Sequence, residues 1–523
     1  MKKLLSIVLV LVMMASLCAC STPAQQENVG EATVEGAGEE VVASAEYKDT
    51  IIFAQNADVT SLDPGVGKEQ TAFTVHCNIY DRLIYKDLEG NVYPMLAESW
   101  EQVSDSEIKF FLRKGVKFHD GSEMTAEDVK FSFDRAIASS YVGQMVSYLD
   151  GVDVVDEYTV IVRAKYPYAP LLGSLSQGTC SIVPKAYVEA VGEEEFANKP
   201  VGCGPYKFLE RVAGESVTLE AFEDYWNGAP KTKYLKMMVV PEAAQRAIMI
   251  ETGEIDAGYG LLATDILRLN DDPSAQVASA PSSKAIVIYL NMKEGPCADQ
   301  KVRQAIEYAI DRDSIVDNVL SGMGEATATV ISSSLVGYNK DLPKNRYDVE
   351  KAKALLAEGG YAEGDINLTM WTNSDQTYVE VATAIQSMLA EVGINMSIET
   401  MATGTLLARL KDENSWNMGM HFTNCLTGEG DVTIYNTMSP KASSNYTGYD
   451  NPELMAMLDQ ARGTLELADR QLIYNQMYDI IREDVPNIAV YTEVIAVALG
   501  ANVEGFELNR TGAHRYENVA VQK

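Results

Sequence analysis

Residues 108 to 113 alternate apolar and largely polar positions. Ile108, Phe110 and Leu112 interleave with Lys109, Phe111 and Arg113, the period of two expected of a strand with one buried face. Asp120-Gly121 supplies a turn, because Gly accepts positive φ and Asp can bond its own backbone. Thr125 stands three residues before Asp128, a capping box with Asp in place of Glu, and Val129, Phe133 and Ala136 follow at helical spacing. Residues 94–133 therefore predict strand, turn and capped helix. Arg113, Lys117 and His119 read as solvated strand-edge and turn residues.

The same reasoning places other elements. IIFAQNADVTSLDP predicts a strand running into a turn at Asp63-Pro64, since the residue before proline is pushed out of the helical region. A helix follows Asp299 as N-cap, with Val302, Ile306, Ala309 and Ile310 as its apolar stripe. Another starts at Asp348, exposes Lys351 and Lys353, buries Leu355 and Leu356, and stops at Gly359-Gly360. From Tyr378 to Glu399 a helix through Ile385, Leu389 and Val392 breaks at Gly393 and becomes a strand in which Ile394, Met396 and Ile398 alternate with polar neighbours. Helix followed at once by strand is an α/β pattern. PVGCGPYKF, at Pro200 to Phe208, predicts a tight turn in which backbone approaches backbone. It lacks the GKS or GKT of a phosphate loop. Trp226 reads as a core or turn anchor.

The N-terminus changes the picture. Lys2 and Lys3 precede an apolar run from Leu4 to Leu17, too short for a membrane span of about 20 residues but suited to a signal-peptide core. Leu17-Cys18-Ala19-Cys20 resembles a lipobox, which implies cleavage before Cys20 and acylation of its thiol. Residues 21 to 46 hold few large apolar side chains and several glutamates, so they read as an extended tether. The remainder allows two or three domains. A formal charge of −33 argues against nucleic-acid binding and favours a self-repelling soluble protein.

Of seven cysteines, discounting Cys18 and Cys20 leaves Cys77, Cys180, Cys203, Cys297 and Cys425. An odd number, widely spaced and without CxxC, predicts free buried thiols rather than a disulfide framework or structural zinc, and hints at a reducing habitat. His421 and Cys425 alone make a weak metal site, so no metal and no cofactor are expected. GxSxG, HExxH and Walker sequences are lacking, so no enzymatic activity is expected.

LAESWE, FFLRKGVKFHDG and MTAEDVKFSFDRA resemble the signature of family 5 extracellular solute-binding proteins, the receptors of peptide and nickel ABC importers. PVGCGPY (with Cys203 for the usual Thr), YWNGAP, GEID, the D-x-x-V-R-x-A-I at Asp299 and EDVPNIAVY extend the resemblance from about Ile51 to Thr492. Asp81 stands where Glu is common. The resemblance implies a two-lobed α/β fold of the type II periplasmic-binding-protein kind, with an inserted subdomain and a ligand cleft between lobes. The expected divisions are 1–19 signal peptide, 20–46 lipidated tether, 47–71 and 199–284 lobe I, 72–198 inserted subdomain, 285–492 lobe II, and 493–523 returning to lobe I.

The implied function is a lipoprotein receptor that captures peptides by hinge closure and hands them to a membrane permease driven by separate ATPases. It would be monomeric, held outside the cytoplasm on the cell membrane by its lipid, with no nucleic-acid partner. A nickel chelate or another non-peptide solute is the alternative ligand. An exported hydrolase, or a binding protein that only signals or shields exported proteins, are the alternatives of other classes.

Asn56, Ala57, Asp58, Val59, Thr60 and Ser61 are carried over as candidate ligand contacts, since the family's opening segment runs along the cleft. Trp371, Asn373 and Tyr491 join them as plausible cleft residues, Trp371 being equally readable as core. Peptide-binding members carry a GW-x-x-D-like loop whose Asp pairs with the ligand's α-ammonium. Here the region reads NMGMHFTNCLTGEGDVTIY, so either Glu429 or Asp431 takes that place or the ligand has no free amine. Trp416, Asn424 and Asp431 complete the candidates.

Overall fold

The computed structural model describes residues 46–523 apart from 88–89, 413–414 and 426. The signal peptide, Cys20 and the tether up to residue 45 lie outside the described residues. An 11-stranded mixed sheet forms the frame. Its order begins with Asn395–Met401, Asn367–Asn373 and Met418–Asn424, continues through Ala275–Leu290, Asn487–Gly500, Ala257–Tyr259 and Thr50–Gln55, and ends with Tyr234–Val239, Ser216–Ala221 and Tyr206–Val212. The short strand Gly324–Ala326 pairs with Asn487–Gly500 off this path. Thr50–Gln55 has parallel partners on both sides, which suits its nearly continuous apolar run.

Two long antiparallel strands hold this frame together. The first part of Ala275–Leu290 pairs with the end of Asn487–Gly500, and its second part pairs with both the start of that strand and Met418–Asn424. The register slips between Pro281 and Ala285, where proline removes a ladder donor. On one side of the slip the core gathers Ile51, Phe53, Leu235, Met237, Val497 and Leu499. On the other it gathers Ile286, Ile288, Ile306, Ile385, Met420 and Val490. The molecule is thus two α/β lobes joined by two continuous strands.

A separate four-stranded antiparallel sheet, Ala97–Ser104, Glu107–Leu112, Thr159–Ala164 and Leu149–Asp156, has its own core around Phe110, Phe118, Phe133 and Val162. The alternation at Ile108, Phe110 and Leu112 faces this core. Helix Ala126–Ala138 packs beside the sheet, its N-terminus closed by the Thr125 backbone N–H donating to the Asp128 carboxylate at 2.9 Å. The C-terminal segment crosses back: Thr232 donates to the Val519 carbonyl, and Asn78 and Cys77 donate to that of His514.

The predicted helices stand, with two refinements at their ends, the first being that Val392 lies just past its helix as the C-cap. The helix after Asp299 runs Gln300–Ala309, so Ile310 lies just past its end, extended yet still buried. Helix Val349–Glu358 ends at Gly359, and Gly360 and Gly393 both adopt positive φ. Asp375 caps Gln376–Glu391, which leads through Gly393 into Asn395–Met401.

The reading of Arg113 and His119 as solvated residues needs correction, whereas Lys117 is exposed as expected. Arg113 donates to the Met95 carbonyl and lies over the Trp226 ring at 4.6 Å, and Lys117 pairs with Asp224. His119 stitches the PVGCGPY turn: its Nδ1 accepts from the Gly202 N–H at 3.2 Å and its Nε2–H donates to the Gly204 carbonyl at 3.0 Å. Burial pushes this imidazole down to about 4, which keeps it neutral and fit for both bonds. The turn needs its glycines, because a Cβ on Gly202 or Gly204 would overlap the Ile79 backbone, which accepts the Gly204 N–H.

Candidate functional site

Two cavities open between the lobes. The larger, about 870 Å³, lies over the two joining strands. Tyr259 to Thr264 form one wall, and Asn373 with the N-terminal turn of helix Gln376–Glu391 forms the other. Its floor carries Lys284 paired with Glu493 at 3.2 Å. The smaller, about 330 Å³, is walled by Phe73, Arg82, Lys86, residues 176–178 and residues 509–511 on one side, and by residues 333–336, Cys425 and Gly428 on the other. The two meet at successive residues, Ser283 lining one and Lys284 the other. Both volumes fall in the range of about 300–1,000 Å³ usual for small-molecule sites.

Asn373 and Tyr491 line the larger cleft. Asn424 lies at the end of its strand, where its Oδ1 accepts from Ser283 Oγ at 2.7 Å, so it borders the junction of the two cavities. Trp371 and Trp416 are core side chains, both in the cluster around Tyr289, Leu406, Leu410 and Tyr474. Arg409 covers the Trp371 ring at 4.0 Å. None of Asn56, Ala57, Asp58, Val59, Thr60 or Ser61 lines either cavity. Asp58 is paired with Arg211 and accepts from the Gly214 N–H, Thr60 bonds Glu69, Val59 is buried, and the Ser61 carbonyl faces His76.

The loop expected to hold an amine-pairing acid is committed elsewhere. Asp431 is fully buried and receives Arg462 Nε at 2.9 Å. Glu429, also buried, receives Arg470 Nε at 2.7 Å, and Tyr474 reaches it at 3.4 Å. Burial raises both carboxyls, and the arginines pull them back. Cys425 Sγ donates to the Glu429 carbonyl at 2.8 Å, which tightens the turn. His421 is likewise buried, its imidazole pushed down to about 4 by desolvation.

Among the described residues no group of three or more His, Cys, Asp or Glu could hold a metal ion, and no helix is long and apolar enough to cross a membrane. The five described cysteines are buried and free, and burial raises the thiols of Cys77, Cys180 and Cys297 to about 12.

Sequence reasoning passed over Arg82, Lys86, Arg510 and the serines at 283, 333 and 334. Arg82 follows Asp81 directly, and nothing in its spacing separates it from a surface cation. Arg510 lies beyond Thr492, where the recognisable motifs end. Only the run Ser332-Ser333-Ser334, polar between Val330-Ile331 and Leu335-Val336, offered a signal.

The comparisons with known proteins agree with this geometry. The chain is 28% identical over 517 residues to the dipeptide-binding protein of Escherichia coli K12, covering 92% of this chain and 96% of that one. HbpA2 of Haemophilus parasuis superposes with a TM-score of 0.81 at 26% identity, over 91% of this chain and all of that one. DppA of Helicobacter pylori, solved with the peptide STSA, gives 0.77 at 26% identity over 91% and 99%. Residues 91–447 match the family described as bacterial extracellular solute-binding proteins, family 5 middle. The chain belongs to the family 5 bacterial extracellular solute-binding proteins.

Proposed function

We propose that this chain is the substrate-binding subunit of an ABC importer, taking a peptide or similarly sized solute between its lobes and presenting the closed form to a membrane permease. The observation that carries the reading is the 870 Å³ cleft, which draws its walls from both lobes and its floor from the two strands that join them. A ligand touching both walls binds the closed form better than the open one, and so shifts the population toward closure. The peptide-binding relatives support peptides as the first ligand class to test. Asn373, Tyr491 and Asn424 are the contacts we assign from the original candidates, and the chain performs no chemistry on its ligand. In this reading 47–71, 199–284 and 493–523 form lobe I, 72–198 the inserted subdomain and 285–492 lobe II, with Cys20 as a lipid anchor outside the cytoplasm and the receptor acting as a monomer.

A thermal-shift screen of the purified chain against dipeptides, longer peptides, nickel chelates and sugars tests it. A ligand at 100 times its Kd adds about 2.7 kcal/mol of stability. At least one peptide raising Tm is expected. A rise only with a nickel chelate would move the ligand class, and no rise with any solute would remove the receptor reading. Mass measurement of the mature N-terminus should show a diacylglycerol on Cys20.

A further inference from the structure

The smaller cavity has the wrong charge for the chain that contains it. The sequence holds 75 acidic and 42 basic residues, yet this wall carries three cations, Arg82, Lys86 and Arg510, against one carboxylate, Asp87. Asp87 already accepts the Asn91 backbone N–H at 2.8 Å, its Nδ2 at 2.9 Å and the Tyr93 hydroxyl at 2.9 Å. The cations have only through-space compensation, Lys86 from Glu429 and Arg82 from Asp81. Arg82 is 6% exposed; its Nη1 reaches only the Ser176 carbonyl at 2.8 Å, and its Nε is buried without a partner. Arg510 Nε is also buried without a partner. Lys86 Nζ crosses to the opposite wall, to the Thr427 carbonyl at 2.8 Å. Among the described residues none of the three forms an ion pair. A buried guanidinium without a counterion costs several kcal/mol, a cost that an anionic ligand would offset.

The two carboxylates nearest by sequence cannot offer a cation site in exchange. Glu429 and Asp431 each face an arginine of their own lobe and are buried behind it. An incoming ammonium would have to break one of those pairs and would meet Arg82, Lys86 and Arg510 in the cavity.

We propose that the smaller cavity is the specificity pocket of this receptor and selects a carboxylate-bearing solute that lacks a free ammonium group at that end, with Arg82 and Arg510 as its anion-binding residues and Lys86 linking the walls. This rests on the receptor reading above. A guanidinium meets a carboxylate through two parallel N–H bonds, and such charge-assisted bonds are among the stronger ones available to a ligand.

Calorimetric titration of the full chain with Ala-Glu, N-acetyl-Ala-Glu and Ala-Lys-amide tests the proposal. N-acetyl-Ala-Glu should bind at least as tightly as Ala-Glu, Ala-Lys-amide should bind at least about tenfold more weakly, and rising salt should weaken the first two. Arg510→Gln should weaken N-acetyl-Ala-Glu by about tenfold or more while the Tm of the ligand-free protein does not fall, because the side chain makes no ion pair to lose and an uncompensated charge is removed. Arg82→Gln should add to the loss. Tighter binding of the amide, or unchanged affinity of the acetylated peptide for Arg510→Gln, overturns the anion pocket and leaves the receptor reading in place. If none of the three binds while neutral peptides, chelates or sugars raise Tm, the anion pocket alone is wrong; if nothing at all binds, both are.

Discussion

Asp81 shows how a single residue ties distant segments together. It is fully buried, with Arg515 Nη1 at 2.7 Å, Trp226 Nε1 at 2.7 Å and the Tyr225 hydroxyl at 2.9 Å from its carboxylate. One carboxylate thus joins the start of the chain, the YWNGAP turn and the C-terminal segment. Asp81→Asn keeps the shape and removes the charge that balances Arg515, so it should cost about 3 kcal/mol, read as a lowered urea midpoint with unchanged slope. A loss of a few tenths would mean that Glu517, at 2.7 Å from Arg515 Nε, suffices as counterion. The sequence marked Asp81 as unusual and Trp226 as a turn anchor but could not join them to Arg515, because the partners are separated by more than 140 residues and an ion pair leaves no periodic trace. The tryptophans are a parallel case. Trp371 is equally readable as cleft or core and Trp416 as a ligand contact, and both side chains are buried beside Leu406 and Leu410.

At the level of elements, local physics was legible and pairing was not. The strand at 107–112, the capped helix after Thr125 and the two glycine-terminated segments follow from alternation, caps and positive-φ positions read within a dozen residues. The PVGCGPY turn was legible as a close backbone approach, but not which backbone it approaches. Because an added Cβ on Gly202 would overlap the Ile79 carbonyl, Gly202→Ala should lower Tm severely or abolish soluble expression, whereas Gly253→Ala, with open space around it, should cost only the strain of its positive φ. Thermal melts of the two variants side by side test this; equal losses would contradict it. The slip between Pro281 and Ala285 was not legible at all. It is a property of pairing with residues some 200 positions away, yet it places Ser283 and Lys284 in two different cavities.

For the whole molecule, all four histidines sit in environments that disfavour charge. Desolvation pushes His119 and His421 to about 4 and His514 to about 3, and lowers His76 as well. The unfolded chain, with imidazoles near 6.5, binds more protons than the folded one between these values. Their contribution to stability is therefore complete above about pH 6.5 and is lost as pH falls toward 4, by about 1.4 kcal/mol per pH unit for each histidine titrating. Glu429 and Asp431, raised by burial, act with the opposite sign and offset part of this loss. Urea midpoints at pH 7.5, 6 and 5 should fall in that order; a flat series would mean the imidazoles are reached by solvent.

The two-lobe assembly itself came from motif resemblance rather than periodicity, since no local pattern reports that two strands cross from one core to another. Closure about those strands is the central claim, and it can be measured directly. The five described cysteines are buried, so Glu254→Cys and Glu363→Cys, one exposed position on each lobe, can be labelled selectively with a donor and an acceptor dye. On titration with a peptide that raises Tm, the energy-transfer efficiency should move to a new value with the same midpoint as binding. An efficiency that stays constant while the ligand saturates would contradict capture by closure.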